Sequence, residues 1–224
     1  NIAESASWDG STIVGYSRDS ANSTRAFRWT AAHGAEDLGS FGGTLTVAID
    51  VSDDGEVVVG RSRTAGGLWR AFVWTPDTGM LDIGTLGGDS AIAWGVSADG
   101  TIVVGNSVDP QGRWRPFRWT ASSGMSNLGT LGGSDGAAVA VSDDGTVIVG
   151  ISDTSSGRFR ATRWSSRRVC AADINLDGNV DIPDIFAYLS AWFGSSLAAE
   201  MDGISGITEA DLFTFLHLWF TECT

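Results

Sequence analysis

Short apolar runs alternate with turns rich in Gly and Asp through the first 168 residues of the chain. In one stretch the pattern predicts four strands, at residues 47–52, 56–62, 70–75 and 80–85. An Asp-Gly pair separates the first two runs, and this is a strong hairpin signal because Gly adopts a positive φ without steric cost. The stretch is therefore predicted to form four short antiparallel strands.

This four-strand unit recurs every 45 residues without an insertion. The motif Ser-x-Asp-Gly begins at residues 7, 52, 97 and 142, and tryptophan recurs at Trp29, Trp74, Trp119 and Trp164. Four strands in about 45 residues is the size of one β-propeller blade. The sequence predicts a mainly β fold of propeller-like blades, followed by a small all-α module. The predicted domains are residues 1–168, with repeats at 1–45, 46–90, 91–135 and an incomplete 136–168, and residues 169–224.

The third strand and the segment after it carry a family resemblance. Residues 25–30, 70–75 and 115–120 read Arg-Ala-Phe-Arg-Trp-Thr, Arg-Ala-Phe-Val-Trp-Thr and Arg-Pro-Phe-Arg-Trp-Thr, and Leu-Gly-x-Leu-Gly-Gly segments follow. Residues 1–165 resemble the extracellular HAF repeat family, which implies a secreted bacterial protein and brings no established enzyme activity. The fourth unit lacks the closing segment, so we expect residues upstream of Asn1 to supply the missing strand, in a four-bladed ring or in further blades.

Two features of the repeats are candidates for binding. Trp69, Trp114 and Phe159 stand at the end of loops whose sequences vary between units, and such loops on a rigid scaffold commonly build binding sites. Their rings are predicted to stack on a glycan or to hold a protein partner, the alternative being that they pack between blades. The repeated arginines, Arg25, Arg70 and Arg115, either form an anion-binding ring or pair with the repeated aspartates.

Charge divides the chain as the repeats do. All 14 basic residues are arginines at or before Arg168, whereas the last 56 residues contain nine acidic residues and no Lys or Arg. A net charge of −13 argues against electrostatic binding of nucleic acid, and no apolar run approaches the roughly 18 residues of a membrane span. No nucleophile motif, phosphate loop or pair of catalytic carboxylates is recognisable in the sequence.

Residues 173–184 match a calcium-binding loop, with oxygen ligands at positions 1, 3, 5, 9 and 12 and Gly at position 6. The predicted calcium ligands are Asp173, Asn175, Asp177, the Asn179 carbonyl, Asp181 and Asp184. A second, weaker loop offers Glu200, Asp202, Thr208 and Asp211. This loop lacks the central carboxylate and the turn glycine, so we expect it to bind calcium weakly or not at all.

Each loop precedes a helix with an apolar stripe, and the two stripes are predicted to pack together. They comprise Ile185, Leu189, Trp192 and Phe193, and, 27 residues later, Leu212, Leu216, Trp219 and Phe220.

The duplicated loop and helix over residues 170–223 resemble a dockerin, and most closely the variant at the C-terminus of planctomycete-like surface proteins. The resemblance implies a cohesin-like or other cell-surface protein partner, contacted at Ile182, Pro183, Glu209 and Ala210. In a secreted chain, a lone pair of cysteines that flanks a small domain favours a disulfide, here between Cys170 and Cys223.

The sequence therefore predicts a non-catalytic, extracellular or cell-surface protein, in which a propeller binds a ligand and a calcium-stabilised module anchors it. Two alternatives remain open: a polysaccharide-degrading enzyme or its accessory subunit, and a structural component of a surface layer.

Overall fold

The computed structural model describes residues 1–165, the helix Ile182–Phe193 with its side chains from Ile185 onward, and helical residues 212–215. The chain separates into two compact units, Asn1–Trp164 and Ser165–Thr224. The first unit is built from strands, and the described residues of the second are almost all helical.

The strands of the described residues form four antiparallel sheets that follow one another along the chain, and one parallel pair, Thr24 opposite Leu45, joins the first two. The first contains β1 (Ile2–Ala6), β2 (Thr12–Arg18), β3 (Thr24–Thr30) and β4 (Gly34–Asp37). The second contains β5 (Gly42–Val51), β6 (Val58–Thr64), β7 (Trp69–Thr75) and β8 (Gly79–Asp82). The third contains β9 (Ala91–Val96), β10 (Val103–Val108), β11 (Trp114–Thr120) and β12 (Gly124–Asn127). The fourth contains β13 (Gly132–Val141), β14 (Val147–Thr154) and β15 (Phe159–Ser165). The predicted four-strand unit is thus confirmed, and so are the three strands of the last repeat.

The predicted strand limits in the second sheet differ from the observed ones by a few residues. Strand β5 begins at Gly42 instead of residue 47, and β6 begins at Val58 instead of residue 56. The backbone N–H of Glu56 donates to the Asp54 carboxylate and that of Val57 donates to the Ser52 hydroxyl, both over 3.0 Å. Residues 56 and 57 therefore belong to the turn, because their backbone donors bind its side chains and not the neighbouring strand.

The Ser-x-Asp-Gly motif forms the same hairpin in each sheet. In the second sheet the Ser52 hydroxyl donates to the Asp54 carboxylate over 2.6 Å, and Gly55 has a φ of 74°. The hydrogen bond from the Ser52 hydroxyl, and then that from the Glu56 backbone, lower the pKa of Asp54. The repeated aspartates are thus turn-forming residues, as the sequence predicted, and the side chain of the serine completes the turn.

The hydrophobic core lies in three layers between successive sheets. Positions that face the preceding sheet keep the same character at a 45-residue step, as in Val58, Val103 and Ile148, which are all buried. On the opposite face Val14, Val59 and Val104 are fully buried, whereas Val149 is 44% exposed, because no described sheet covers it. The repeat therefore exists because each sheet packs against the next through the same side chains.

Asp50, on β5, connects three sheets. Its carboxylate accepts a hydrogen bond from the Ser5 hydroxyl over 2.9 Å and one from the Val96 backbone over 3.0 Å. Burial raises the pKa of Asp50, although these two hydrogen bonds oppose the effect. The other sheets have Ser5, Gly95 and Ala140 at this position, so the connection is made only once among the described repeats.

Candidate functional site

The strands end on two sides of the propeller, and these sides carry different structures. One side carries the Ser-x-Asp-Gly hairpins, and we call it the hairpin face. The other side carries the loops between the second and third strands of each sheet and the connections between sheets, and we call it the loop face. Register places Gly42 opposite Thr64, so the start of a first strand and the end of a second strand meet on the loop face. A binding site is expected in the variable loops of the loop face, because the sheets hold them rigidly.

The loops of the loop face are held by side chains that differ between sheets. Asp109 accepts hydrogen bonds from the backbones of Gln111 and Arg113 and from the side chains of Arg113 and Arg115, at 2.9–3.0 Å. Burial alone would raise the pKa of Asp109, but these hydrogen bonds hold it well below its usual range. In the second and fourth sheets the hydroxyls of Thr64 and Thr154 accept the loop hydrogen bonds instead.

The repeated arginines form ion pairs within the protein. Arg25 lies 3.1 Å from Asp37, and Arg70 lies 3.6 Å from Asp82 at the same position of the next repeat. The third repeat has Asn127 there, and its arginine, Arg115, pairs with Asp109 at 2.9 Å. Of the two alternatives that the sequence left open, the structure favours pairing with aspartates over an anion-binding ring. Each pair lies within one sheet, so these ion pairs do not hold adjacent blades together.

Two tryptophans and two arginines of the second and third sheets make a series of cation–π contacts on the loop-face half of the strands. The guanidinium of Arg63 lies 4.7 Å from the centre of the Trp69 ring, and that of Arg61 lies 4.8 Å from the same ring. Arg61 also lies 5.4 Å from the centre of the Trp94 ring. One of the predicted binding residues, Trp69, is thus part of a cluster that alternates cations and rings.

The other two predicted binding residues meet at a cavity of about 310 Å³ between the third and fourth sheets. Trp114 and Phe159 both line it, and Phe159 is 60% exposed. The remaining lining residues are Asn106, Asp135, Gly136, Ala137 and Ile151. Asp135 is fixed there because its carboxylate accepts the backbone N–H of Trp114 over 3.0 Å.

A hydrogen bond joins the cluster of two arginines and two tryptophans to the cavity between the third and fourth sheets. The indole Nε1 of Trp94 donates to the Asn106 side-chain oxygen over 2.8 Å, and Asn106 is one of the cavity residues. We call the connected set the aromatic row: Arg63, Trp69, Arg61, Trp94, Asn106, Trp114 and Phe159.

Four members of the row were not among the residues that the sequence analysis named: Arg61, Arg63, Trp94 and Asn106. Where the third repeat has Trp94 the others have Glu4, Ile49 and Val139, and where the second has Arg61 the others have Tyr16, Asn106 and Ile151. Each of these two positions carries a different residue in every unit, and variation at positions that the 45-residue step aligns is the signal that could have found Trp94, Arg61 and Asn106.

The hairpin face has a larger cavity, of about 670 Å³, between the first and second sheets. Its polar lining includes Arg28, His33, Asp54 and Glu56. Arg28 donates to the Gly55 carbonyl and to Glu56, and Asp54 is held in its turn by Ser52. The ionisable groups of this cavity thus have structural partners.

In the second unit the described helical residues contact each other through Tyr188 and Phe215, both buried. The predicted stripe is only partly confirmed, because Ile185, Leu189 and Trp192 are half-buried but Phe193 is 81% exposed. Tyr188 lies three residues after Ile185 and four before Trp192, so helical periodicity puts it at the centre of the packed face.

Several predicted residues lie outside the described part of the chain. They are the loop residues Asp173, Asn175, Asp177, Asn179, Asp181, Glu200, Asp202, Thr208 and Asp211, the partner-contact residues Glu209 and Ala210, the stripe residues Leu216, Trp219 and Phe220, and both cysteines, Cys170 and Cys223. Asp184, Ile182 and Pro183 fall in the first turn of the helix, but their side chains also lie outside the described part. Among the described residues, no cluster of His, Cys, Asp and Glu side chains could hold a metal, and no helix could cross a membrane.

Solved structures similar to the chain support the fold of the first unit. TolB from Acinetobacter baumannii matches with a TM-score of 0.55 and 17% identity, over 73% of this chain and 40% of that one. Putative TolB from Agrobacterium tumefaciens matches with a TM-score of 0.53 and 16% identity, over 73% of this chain and 58% of that one. The first unit has a β-propeller fold.

A puromycin hydrolase mutant is a further match, with a TM-score of 0.50 and 15% identity, over 72% of this chain and 26% of that one. The chain therefore spans between about a quarter and three fifths of the length of these proteins. No family model and no curated protein matches the sequence. The HAF-repeat and dockerin resemblances accordingly stay predictions.

Proposed function

We propose that this protein is a non-catalytic, extracellular or cell-surface binding protein whose propeller binds a glycan on its loop face. The observation that carries the proposal is the hydrogen bond from Trp94 to Asn106, because it connects two aromatic clusters into one row across three blades. A row of this kind suits an extended ligand that contacts several blades at once.

The chemistry of the cavity suits a sugar ring. Aromatic faces such as those of Trp114 and Phe159 stack on the C–H faces of pyranose rings, and they do so with little loss of side-chain entropy. Asp135 and Asn106 offer oxygen atoms at the same cavity, which can accept hydrogen bonds from sugar hydroxyls. A largely apolar cavity with a few fixed polar groups is typical of small-ligand sites.

Binding is favoured over hydrolysis because of how the acidic residues of the hairpin-face cavity are held. Glycoside hydrolysis uses two carboxyl groups, one of which must carry a proton as general acid. Asp54 has a lowered pKa because it accepts hydrogen bonds from Ser52 and the Glu56 backbone. Glu56 in turn pairs with Arg28 at 3.1 Å. Both carboxylates thus stabilise the hairpin and its contact with the neighbouring blade.

The second unit is proposed to anchor the propeller. Its calcium loop at residues 173–184 would stabilise a pair of helices, and these would bind a cohesin-like or other cell-surface protein. The contact between Tyr188 and Phe215 supports a packed helix pair.

A glycan microarray tests the proposed ligand class. We expect the full chain to bind at least one polysaccharide family, and Phe159→Ala to reduce that affinity by a few-fold to about tenfold. Because Phe159 is largely exposed, its truncation leaves the fold intact. Trp8→Ala is the matched control, since Trp8 is 84% exposed in a turn of the hairpin face.

Failure to bind any glycan would refute the proposal and favour a purely structural surface component. Loss of binding in Trp8→Ala, with normal binding in Phe159→Ala, would move the site to the hairpin face. Release of shorter saccharides during the assay would favour the enzyme.

A further inference from the structure

Arg61 lies in an environment that matches its charge poorly. Its Nε atom is buried and has no hydrogen-bond partner among the described residues, and the side chain as a whole is half-buried. Burial lowers the pKa of Arg61, and Glu4 offsets the effect only in part. The guanidinium contacts the rings of Trp69 and Trp94, whose π faces attract a cation but do not accept strong hydrogen bonds.

Of the twelve arginines among residues 1–165, five form ion pairs with carboxylates: Arg25, Arg28, Arg70, Arg113 and Arg115. Arg61 and its neighbour Arg63 are among those that lie within ion-pair distance of no carboxylate of the described residues. Arg61 is one of two described arginines whose Nε atom is buried without a hydrogen-bond partner, the other being Arg118. Of these two, Arg61 is the one whose guanidinium contacts two tryptophan rings.

Arg61 has no counterpart in the other units, where the equivalent residues are Tyr16, Asn106 and Ile151. Trp94, the second ring against Arg61, also occurs in one unit alone. Arg61 and Trp94 thus place a cation and a ring between the second and third blades, and the hydrogen bond from Trp94 to Asn106 connects them to the cavity of the aromatic row.

We propose that Arg61 and Arg63 bind the carboxylate of an acidic glycan, a polymer that contains uronic acid units. The inference rests on the proposed function and names its ligand class. A guanidinium donates two parallel hydrogen bonds to a carboxylate, and the flanking indole rings exclude water from the contact. A sugar ring in the cavity of Trp114 and Phe159 would place the next unit of the polymer toward the two arginines.

An acidic peptide would also supply carboxylates, but the row favours a saccharide. The rings of Trp114 and Phe159 line the cavity, and Phe159 is largely exposed, whereas many peptides bind sheets by adding a strand to an open edge. Strands β6 and β7, which carry both arginines and Trp69, are paired on both sides, so a peptide strand could not add next to the arginines.

Calorimetric titration of the full chain with an oligogalacturonate and with its methyl ester tests the inference. The two probes share the same sugar chain, and the ester carries an uncharged methyl ester in place of each carboxylate. We expect the acid form to bind at least about tenfold more tightly than the ester. Arg61→Gln should weaken binding of the acid form about tenfold and leave binding of the ester within about twofold. Arg61→Lys should rescue the affinity only in part, because lysine lacks the planar fork.

Arg163→Gln is the control for net charge, since Arg163 is exposed and stands at the hairpin-face end of β15. Equal affinity for acid and ester would overturn the inference and leave the proposed function intact. If the chain bound neither form of the oligogalacturonate but bound a neutral polysaccharide, the inference would likewise be overturned and the proposed function would stand. Tighter binding of a poly-glutamate peptide than of the acid saccharide would overturn the choice of ligand, and absence of binding to every glycan would refute both proposals.

Discussion

Tyr188 and Phe215 stack with their ring centroids 4.1 Å apart and their planes 7° from parallel, although 27 residues separate them. This separation equals the step between the two apolar stripes of the second unit, so the stacked residues occupy equivalent positions in the two halves. The residues two places before them, Phe186 and Phe213, are also equivalent, and both are exposed. The duplication therefore fixes one aromatic pair inside the unit and another on its surface.

Phe215→Ala is expected to destabilise the second unit by about 3–5 kcal/mol, because it removes a fully buried ring and leaves a cavity. A module of this size has little more stability than that, so it should lose its helical structure. Thermal unfolding followed by far-ultraviolet circular dichroism measures the effect. Phe213→Ala is the control, since Phe213 is 69% exposed and its removal should change stability by about 0.5 kcal/mol at most. Equal effects of the two substitutions would argue against the stacked pair.

Gly60→Ala is expected to destabilise the propeller by about 1–3 kcal/mol or more. A Cβ at position 60 would overlap the carbonyl oxygen of Val47 on the neighbouring strand and press on the ring of Phe72. Glycine recurs at Gly15, Gly105 and Gly150, where a Cβ would overlap the equivalent carbonyl oxygens, which explains the 45-residue spacing of this glycine.

The control for this substitution is Gly66→Ala, because Gly66 lies in an exposed loop without a positive φ, and an added Cβ would meet only the Thr64 hydroxyl, at an ordinary contact distance of 3.7 Å. Chemical denaturation of both variants provides the comparison. A Gly60→Ala protein as stable as Gly66→Ala would show that the strands are farther apart than the structure indicates.

Asp50→Asn is expected to become more stable relative to the wild type as the pH rises. The pKa of Asp50 is raised in the folded protein, so folding favours the protonated form. The stability that this provides is complete below the unfolded pKa of about 3.8 and is lost as the pH rises through the folded value. Melting temperatures of both proteins between about pH 4 and about pH 7 give the slope. A difference that stays constant, or that falls with pH, would contradict the assignment.

Asp173→Ala combined with Asp177→Ala is expected to abolish stabilisation of the second unit by calcium, because both carboxylates belong to the predicted loop. Melting of the helical signal with calcium and with a chelator measures this effect. Asp77→Ala, in an exposed turn of the propeller, should leave it unchanged. If the wild-type chain melted at the same temperature with calcium and with chelator, the loop would not be a calcium site.

The fold of the first unit was predictable because four successive repeats must satisfy the same physical requirement. Each blade needs the Ser-x-Asp-Gly hairpin and the same apolar residues toward its neighbours, so the 45-residue step identifies the unit. Strand limits were less predictable. The turn extends to Val57 because the Ser52 side chain accepts its backbone N–H, and hydropathy does not register such a hydrogen bond.

The candidate site was predictable only in part, because some of its residues lie at positions that do not repeat. Trp69, Trp114 and Phe159 share one repeat position, and that position made them visible in the sequence. Arg61 and Trp94 occupy positions whose residue differs in every unit, and their contact depends on how the second and third blades pack. Tyr188 was missed because its hydroxyl group kept it out of an apolar stripe, although its ring is buried.

Hydrogen–deuterium exchange of the full chain, with and without saturating oligogalacturonate, tests the central claim most directly. A glycan bound on the aromatic row should slow exchange in residues 61–69, 91–96 and 106–114 and around Asp135 and Phe159. Exchange in the hairpins at residues 52–57 and 97–102 should be unchanged. Protection confined to those hairpins, or to residues 182–215, would contradict a binding site on the loop face of the propeller.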